Sequence, residues 1–77
     1  QVRVEERSLI ERSVIMPGVH VGKGCLIRRA IIDEHCDVPD GMQIGADPVL
    51  DRARFDVSPS GVVLVTPETL LAATAAG

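Results

Sequence analysis

Branched aliphatic residues recur along the first half of the chain at a fixed step. Written in rows of seventeen from Val4, the sequence aligns Val4 with Val21 and Val38, Ile10 with Ile27 and Ile44, and Ile15 with Ile32. Each of these is preceded, two positions earlier, by a small or apolar residue, in the pairs Ser8/Ile10, Ser13/Ile15, Val19/Val21, Cys25/Ile27, Ala30/Ile32, Cys36/Val38 and Met42/Ile44. A separation of two puts both members on one face of a strand, so with Val4 fifteen side chains face inward. Leu9, Val14, His20, Leu26, Ile31, Asp37 and Gln43 lie between them and face away. A helix needs apolar returns at three and four residues, and Pro17, Pro39 and the glycines at 18, 22, 24, 41 and 45 interrupt too often for one. The pattern predicts an all-β coil of 17-residue circuits, three short strands to a circuit. Equivalent residues stack at the strand spacing of about 4.8 Å, giving under three coils over residues 1–46.

After Ile44-Gly45 the period stops, and residues 47–77 form a separate C-terminal extension. Asp47-Pro48 has the form of an N-cap followed by a first helical residue, which predicts a short helix over about 48–55. Ser58-Pro59-Ser60-Gly61 predicts a turn, residues 62–66 a strand, and Thr66-Pro67-Glu68 a further helix start within the tail 67–77. The expected extension is therefore helix, strand, helix.

Composition narrows the function. With eleven acids against eight bases the formal charge is −3, without the basic excess of a nucleic-acid binder. Phe55 is the single aromatic residue, which leaves no platform for stacking bases. No apolar run is long enough to span a membrane and no secretion leader is visible at Gln1, so a cytoplasmic location is expected. Cys25 and Cys36 lack the spacing of a zinc ribbon and read as buried free thiols of a reducing compartment.

Candidate chemistry is sparse. His20 and His35 fall on outward positions, where imidazole suits a general base. Two histidines on different corners do not make a three-histidine metal site. Asp33, Glu34, Asp37 and Asp40 read as a solvated acidic rim. Arg12 and Arg29 share an outward position one circuit apart, and Arg28 stands above Glu11. Like charges on neighbouring strands destabilise unless neutralised, so a glutamate, another protomer's carboxylate or a phosphorylated effector is expected beside them. Arg52 and Arg54 on the first helix are further effector or interface candidates. No glycine-rich phosphate loop occurs, and Gly22, Gly24 and Gly41 read as corner glycines. No catalytic, cofactor-binding or metal-ligating residue is assigned.

The segment Val21-Gly22-Lys23-Gly24-Cys25-Leu26 resembles a hexapeptide repeat. The order of SVIMPGVHVGKGCLIRRAIIDEHCDVPDGMQIG and RFDVSPSGVVLVTPETL resembles the C-terminal part of the bacterial glucose-1-phosphate adenylyltransferases, the ADP-glucose pyrophosphorylases. The resemblance implies a left-handed parallel β-helix that supports assembly, as a tetramer in the family, and allosteric regulation. It implies a separate N-terminal catalytic domain, with ATP and Mg²⁺ there, converting ATP and glucose 1-phosphate to ADP-glucose and pyrophosphate for glycogen. It also implies that basic residues after the "VID" box and after the "VLVT" strand hold a sugar-phosphate activator. Here those positions are Glu34 and Pro67, so such an activator would have to use Arg28, Arg29, Arg52 or Arg54. Two competing readings are a free-standing acyltransferase using coenzyme A with His20 or His35 as base, and a purely structural oligomerising coil.

Overall fold

A computed structural model describes residues 1–76; Gly77, the end of the expected tail, lies outside the described residues. Eight short strands follow one another with a turn after each: β1 (Arg3–Val4), β2 (Leu9–Glu11), β3 (Val14–Ile15), β4 (His20–Val21), β5 (Leu26–Arg28), β6 (Ala30–Ile32), β7 (Asp37–Val38) and β8 (Gln43–Ile44). They stack as parallel sheets β1-β4-β7 and β2-β5-β8, while β3 and β6 begin a third. The register pairs Val4 with Val21 and Val21 with Val38. It likewise pairs Ile10 with Ile27, Ile27 with Ile44, and Ile15 with Ile32. Parallel strands seventeen residues apart, arranged in three sheets, are the architecture of a β-helix.

The interior is lined by Val19, Val21, Cys25, Ile27, Ala30, Ile32, Cys36, Val38 and Ile44, all buried. Burial fades towards the first coil. Val4 is 43% exposed, and Ser8, Ile10, Ser13 and Ile15 are only partly buried. Met42 is also only partly buried. These six of the fifteen expected inward residues keep the expected ladder, but the first rung has a neighbour on one side only.

Ser8 and Ser13 have a second use at the open end. The Ser8 hydroxyl donates to the Gly22 carbonyl at 2.6 Å and accepts from the Cys25 N–H at 3.0 Å. Ser13 accepts from the Ala30 N–H at 3.2 Å. Both hydroxyls thereby tie the first coil to the second.

The chain leaves the coil at Gly45, whose φ of +85° belongs to the left-handed region. A Cβ there would run into the Arg28 carbonyl, so glycine is required sterically as well. Gly22 has a different reason: its φ is ordinary, but a Cβ would meet the Asp40 side chain and backbone. It is a close-approach glycine and not the turn glycine expected.

Helix α1 (Pro48–Arg54) starts at Asp47, which accepts from Val49 N–H at 3.0 Å and Leu50 N–H at 3.4 Å. It is followed by β9 (Asp56–Val57), a Ser58–Gly61 turn, β10 (Val63–Val65) and α2 (Pro67–Ala76). Thr66 and Thr69 cap α2 reciprocally, each backbone N–H donating to the other's hydroxyl. β10 does not stand apart as an extension strand. It pairs parallel with β6, Val63 against Ala30 and Val65 against Ile32, and completes the third sheet in the order β3-β6-β10-β9. The third rung of that sheet thus comes thirty-three residues after its partner instead of seventeen. Phe55, Val63, Val65 and Leu70 join the buried core and cover this end of the stack.

Candidate functional site

The arginine-bearing corner lies between β2 and β3 in one coil and between β5 and β6 in the next. Glu11 pairs with Arg28 in the ladder, and the Arg28 Nε–H donates to Glu11 Oε1 at 2.9 Å. The next residue in each coil, Arg12 and Arg29, has φ of +48°. That conformation turns the chain and throws both guanidinium groups outward. Glu11, Arg12, Arg28 and Arg29 line an open cleft of about 200 Å³. A second cleft of about 180 Å³ adjoins it, lined in part by Arg29, Gly45, Asp51 and Arg52. Arg29 borders both.

The five arginines singled out in the sequence are therefore divided. Arg12, Arg28 and Arg29 meet at the corner, and Arg52 faces the adjoining cleft. Arg54 is a structural residue, contrary to expectation. Its Nη2 donates to the Gln43 carbonyl at 2.7 Å and sits 3.6 Å from Asp51 Oδ1, and its guanidinium lies 5.0 Å from the centre of the Phe55 ring. Asp51, only 3% exposed, accepts from the Gly45 N–H. Together they lock α1 onto the point where the chain leaves the coil. The sequence reading missed this pair; its i,i+3 spacing on a helix is the signal that could have found it, though not its burial.

His20 is held between carboxylates. Its Nδ1 lies 3.0 Å from Asp37 Oδ1 and its Nε2 lies 2.9 Å from Glu5 Oε2, which also meets Arg3 Nε at 3.0 Å. The hydrogen bond to Glu5, and next that to Asp37, raise the His20 pKa above the ordinary value, while the His20 contact lowers that of Glu5. With each ring nitrogen already engaged by a carboxylate, neither is free to accept a hydroxyl proton. Glu5 escaped the sequence reading because nothing resembling it stands at its ladder positions, Gly22 and Pro39. His35 is not an outward strand residue but a turn residue at φ +61°, with its ring against Gly18.

The expected acidic rim is three separate devices. Asp40 accepts from the Lys23 N–H and Asp33 from the Glu34 N–H, both at 2.8 Å, and Asp37 serves His20. Glu34 and Pro67 each follow the paired rung of Ile32 and Val65 by two residues, which brings a carboxylate and an imide to neighbouring positions. Both cysteines are free and buried, and burial pushes the Cys36 thiol pKa up. Among the described residues no three His, Cys, Asp or Glu side chains converge to hold a metal ion, and no helix is long and apolar enough to cross a membrane.

Parallel strands at a seventeen-residue register, small residues beneath the aliphatics and left-handed corners define a hexapeptide-repeat protein. The chain belongs to the family described as GlmU-like, C-terminal hexapeptide, which matches residues 1–65. Its similarity is more particular than that. It is 55% identical over 69 residues to the glucose-1-phosphate adenylyltransferase of Mannheimia succiniciproducens and 51% identical over 69 residues to that of Actinobacillus succinogenes. The Haemophilus influenzae enzyme is 42% identical over 71 residues. These matches cover 90% or 91% of the chain but only 16% of each relative's length.

Proposed function

We propose that these residues form the C-terminal assembly and regulatory module of a glucose-1-phosphate adenylyltransferase, wound as a left-handed coil. The parent reaction condenses ATP and glucose 1-phosphate to ADP-glucose and pyrophosphate for glycogen synthesis in the cytoplasm. ATP and Mg²⁺ belong to a catalytic domain outside this chain, and no step of the chemistry is assigned to residues within it. The observation that carries the reading is about 50% identity to enzymes of that name over nine-tenths of the chain. Assembly is supported by the exposed apolar residues Leu9, Val14, Ile31 and Leu64 on the outer sheet faces, which suit a homo-oligomer interface. A fructose 1,6-bisphosphate site resting on Glu34 and Pro67 is disfavoured: a carboxylate repels phosphate, and proline offers neither charge nor N–H.

The test compares the purified chain with a parent enzyme that contains it. Given ATP, Mg²⁺ and glucose 1-phosphate, the chain alone releases no pyrophosphate above background. Deleting the module from the parent lowers its oligomeric mass and removes its response to sugar phosphates. Pyrophosphate release by the isolated chain, or a parent whose mass and regulation survive the deletion, overturns the assignment.

A further inference from the structure

The strands of the first coil are attached unequally. β2 and β3 are tied to the second coil by groups that do not titrate near neutral pH: the hydroxyls of Ser8 and Ser13, and Glu11 on Arg28. β1 has no such tie. Its backbone bonds run to β4 on one side only, with the Arg3 N–H on the Val19 carbonyl and the Glu5 N–H on the Val21 carbonyl, both at 2.9 Å. Val4 is left 43% exposed. Among the described residues, Glu5 on His20 is the one side-chain contact that joins residues 1–5 to the second coil.

That contact belongs to a larger arrangement. Arg3, His20 and Asp37 occupy one outward ladder, one residue to each coil. His20 stands in the middle, with Nε2 on Glu5 of the first coil and Nδ1 on Asp37 of the third. A doubly protonated ring donates to both carboxylates. A neutral ring has one N–H, so its other nitrogen turns a lone pair towards a carboxylate oxygen, and the charge that attracted both is gone. The ionisable groups on the surrounding elements are Arg3 and Glu5 at β1, Asp37 on β7, His35 just before β7, and Glu68 on α2, which packs against β7. Of these only the carboxylates of Glu5 and Asp37 touch the ring; Arg3 is turned to Glu5, and the His35 ring lies against Gly18.

We infer that His20 is a proton-operated clasp that holds β1 to the stack and releases it as the pH rises, while the other strands stay in place. The bonds to Glu5 and Asp37 raise the His20 pKa above its ordinary 6.5, and the same contact lowers that of Glu5 below its ordinary 4.5. The histidine's share of the clasp is fully present below 6.5 and is lost as pH rises through the folded value. The glutamate's share is present above 4.5 and is lost as pH falls through its folded value. The clasp is therefore closed between these limits and opens on their alkaline side. Opening leaves the Val19 and Val21 carbonyls unpaired and makes β4 the edge of its sheet. The clasp depends on this sheet alone and is independent of the parent reaction proposed above.

Amide exchange of the 77-residue chain at one protein concentration, followed by NMR as protection over the intrinsic rate at each pH, tests it. Between about pH 6 and about pH 8.5 the Arg3 and Glu5 amides should lose about two- to five-fold in protection, the range of an exposed ion pair. Leu9 and Met16, whose N–H groups donate to the Cys25 and Ile32 carbonyls, should hold theirs. His20→Gln keeps hydrogen-bonding groups without a titrating ring and should flatten the β1 profile. Glu5→Gln should flatten it too and bring the His20 midpoint down. Glu11→Gln, which breaks a pair elsewhere in the first coil, should leave the β1 profile as it is. A flat β1 profile in the unaltered chain, an equal fall at Leu9 and Met16, or a pH dependence that survives in either His20→Gln or Glu5→Gln overturns the inference.

Discussion

Ile10, Ile27 and Ile44 form one inward ladder, and truncating two of its rungs measures how the stack is sealed. Ile27 is fully buried with a rung on each side, whereas Ile10 is partly buried with a rung on one side. Ile→Ala removes three carbons, about 2.4 kcal/mol at ~0.8 per buried carbon, and the cavity left behind brings such changes to about 2–5 kcal/mol. At Ile27 both neighbours are fixed by parallel strands and cannot collapse into the void, so a loss of about 4 kcal/mol is expected. At Ile10 the open side admits water and the loss is about 2 kcal/mol. A chain of this size has roughly 4–11 kcal/mol of stability in all, so Ile27→Ala removes at least about a third of it. Urea denaturation of both variants, at one fixed protein concentration so that association does not enter the comparison, reads the difference. Equal losses would mean that the first coil is covered in solution. A larger loss for Leu26→Ala than for Ile27→Ala would mean that the inward and outward faces are reversed.

Four further outcomes are expected. The raised His20 pKa adds stability that is fully present below the ordinary value of 6.5 and is lost as pH rises through the folded value; Glu5, with its lowered pKa, adds stability that is lost as pH falls. The melting temperature should therefore decline above about pH 6.5, less so in His20→Gln, and an NMR titration placing the His20 midpoint at or below 6.5 would contradict this. Asp51→Ala leaves Arg54 and the Gly45 N–H without their buried acceptor and should cost about 3 kcal/mol in a chemical melt. Gly45→Ala puts a Cβ against the Arg28 carbonyl at a left-handed position and should lower stability by at least about 1–2 kcal/mol, whereas Gly24→Ala, which meets open space, pays only the conformational part. Light scattering should give a mass above 8.2 kDa that Leu9→Lys returns towards the monomer.

The coil was legible because its signal is repeated: branched aliphatics mark the strands, with a small or apolar residue two places earlier, and the seventeen-residue step recurs in the register. The corner arginines were legible for the same reason, since Arg12 and Arg29 occupy one ladder position. What was missed lies outside the period. Val63 and Val65 have the alternation of a strand, but nothing in their spacing from Ala30 and Ile32 points to a shared sheet once a helix and a hairpin intervene. Arg54 resembles Arg52 in sequence and differs only in its tertiary neighbours, Asp51 and the Gln43 carbonyl. Glu5 reaches His20 from the neighbouring rung, from a position that no repeat labels.

The return of β10 also bears on how such a coil tolerates change. Closing a rung over thirty-three residues instead of seventeen nearly doubles the loop, and chain-closure entropy charges only about 0.6 kcal/mol for a doubling. Burying Val63 and Val65 outweighs that several-fold, at roughly 1.5–3 kcal/mol for each fully buried side chain. The longer closure between Gly45 and Val62 is therefore a small cost in itself, provided that the chain comes back into register with Ala30 and Ile32. Insertions or deletions there should be accepted far more readily than a single added residue between Val21 and Ile44, where one extra position would rotate every following side chain out of its ladder.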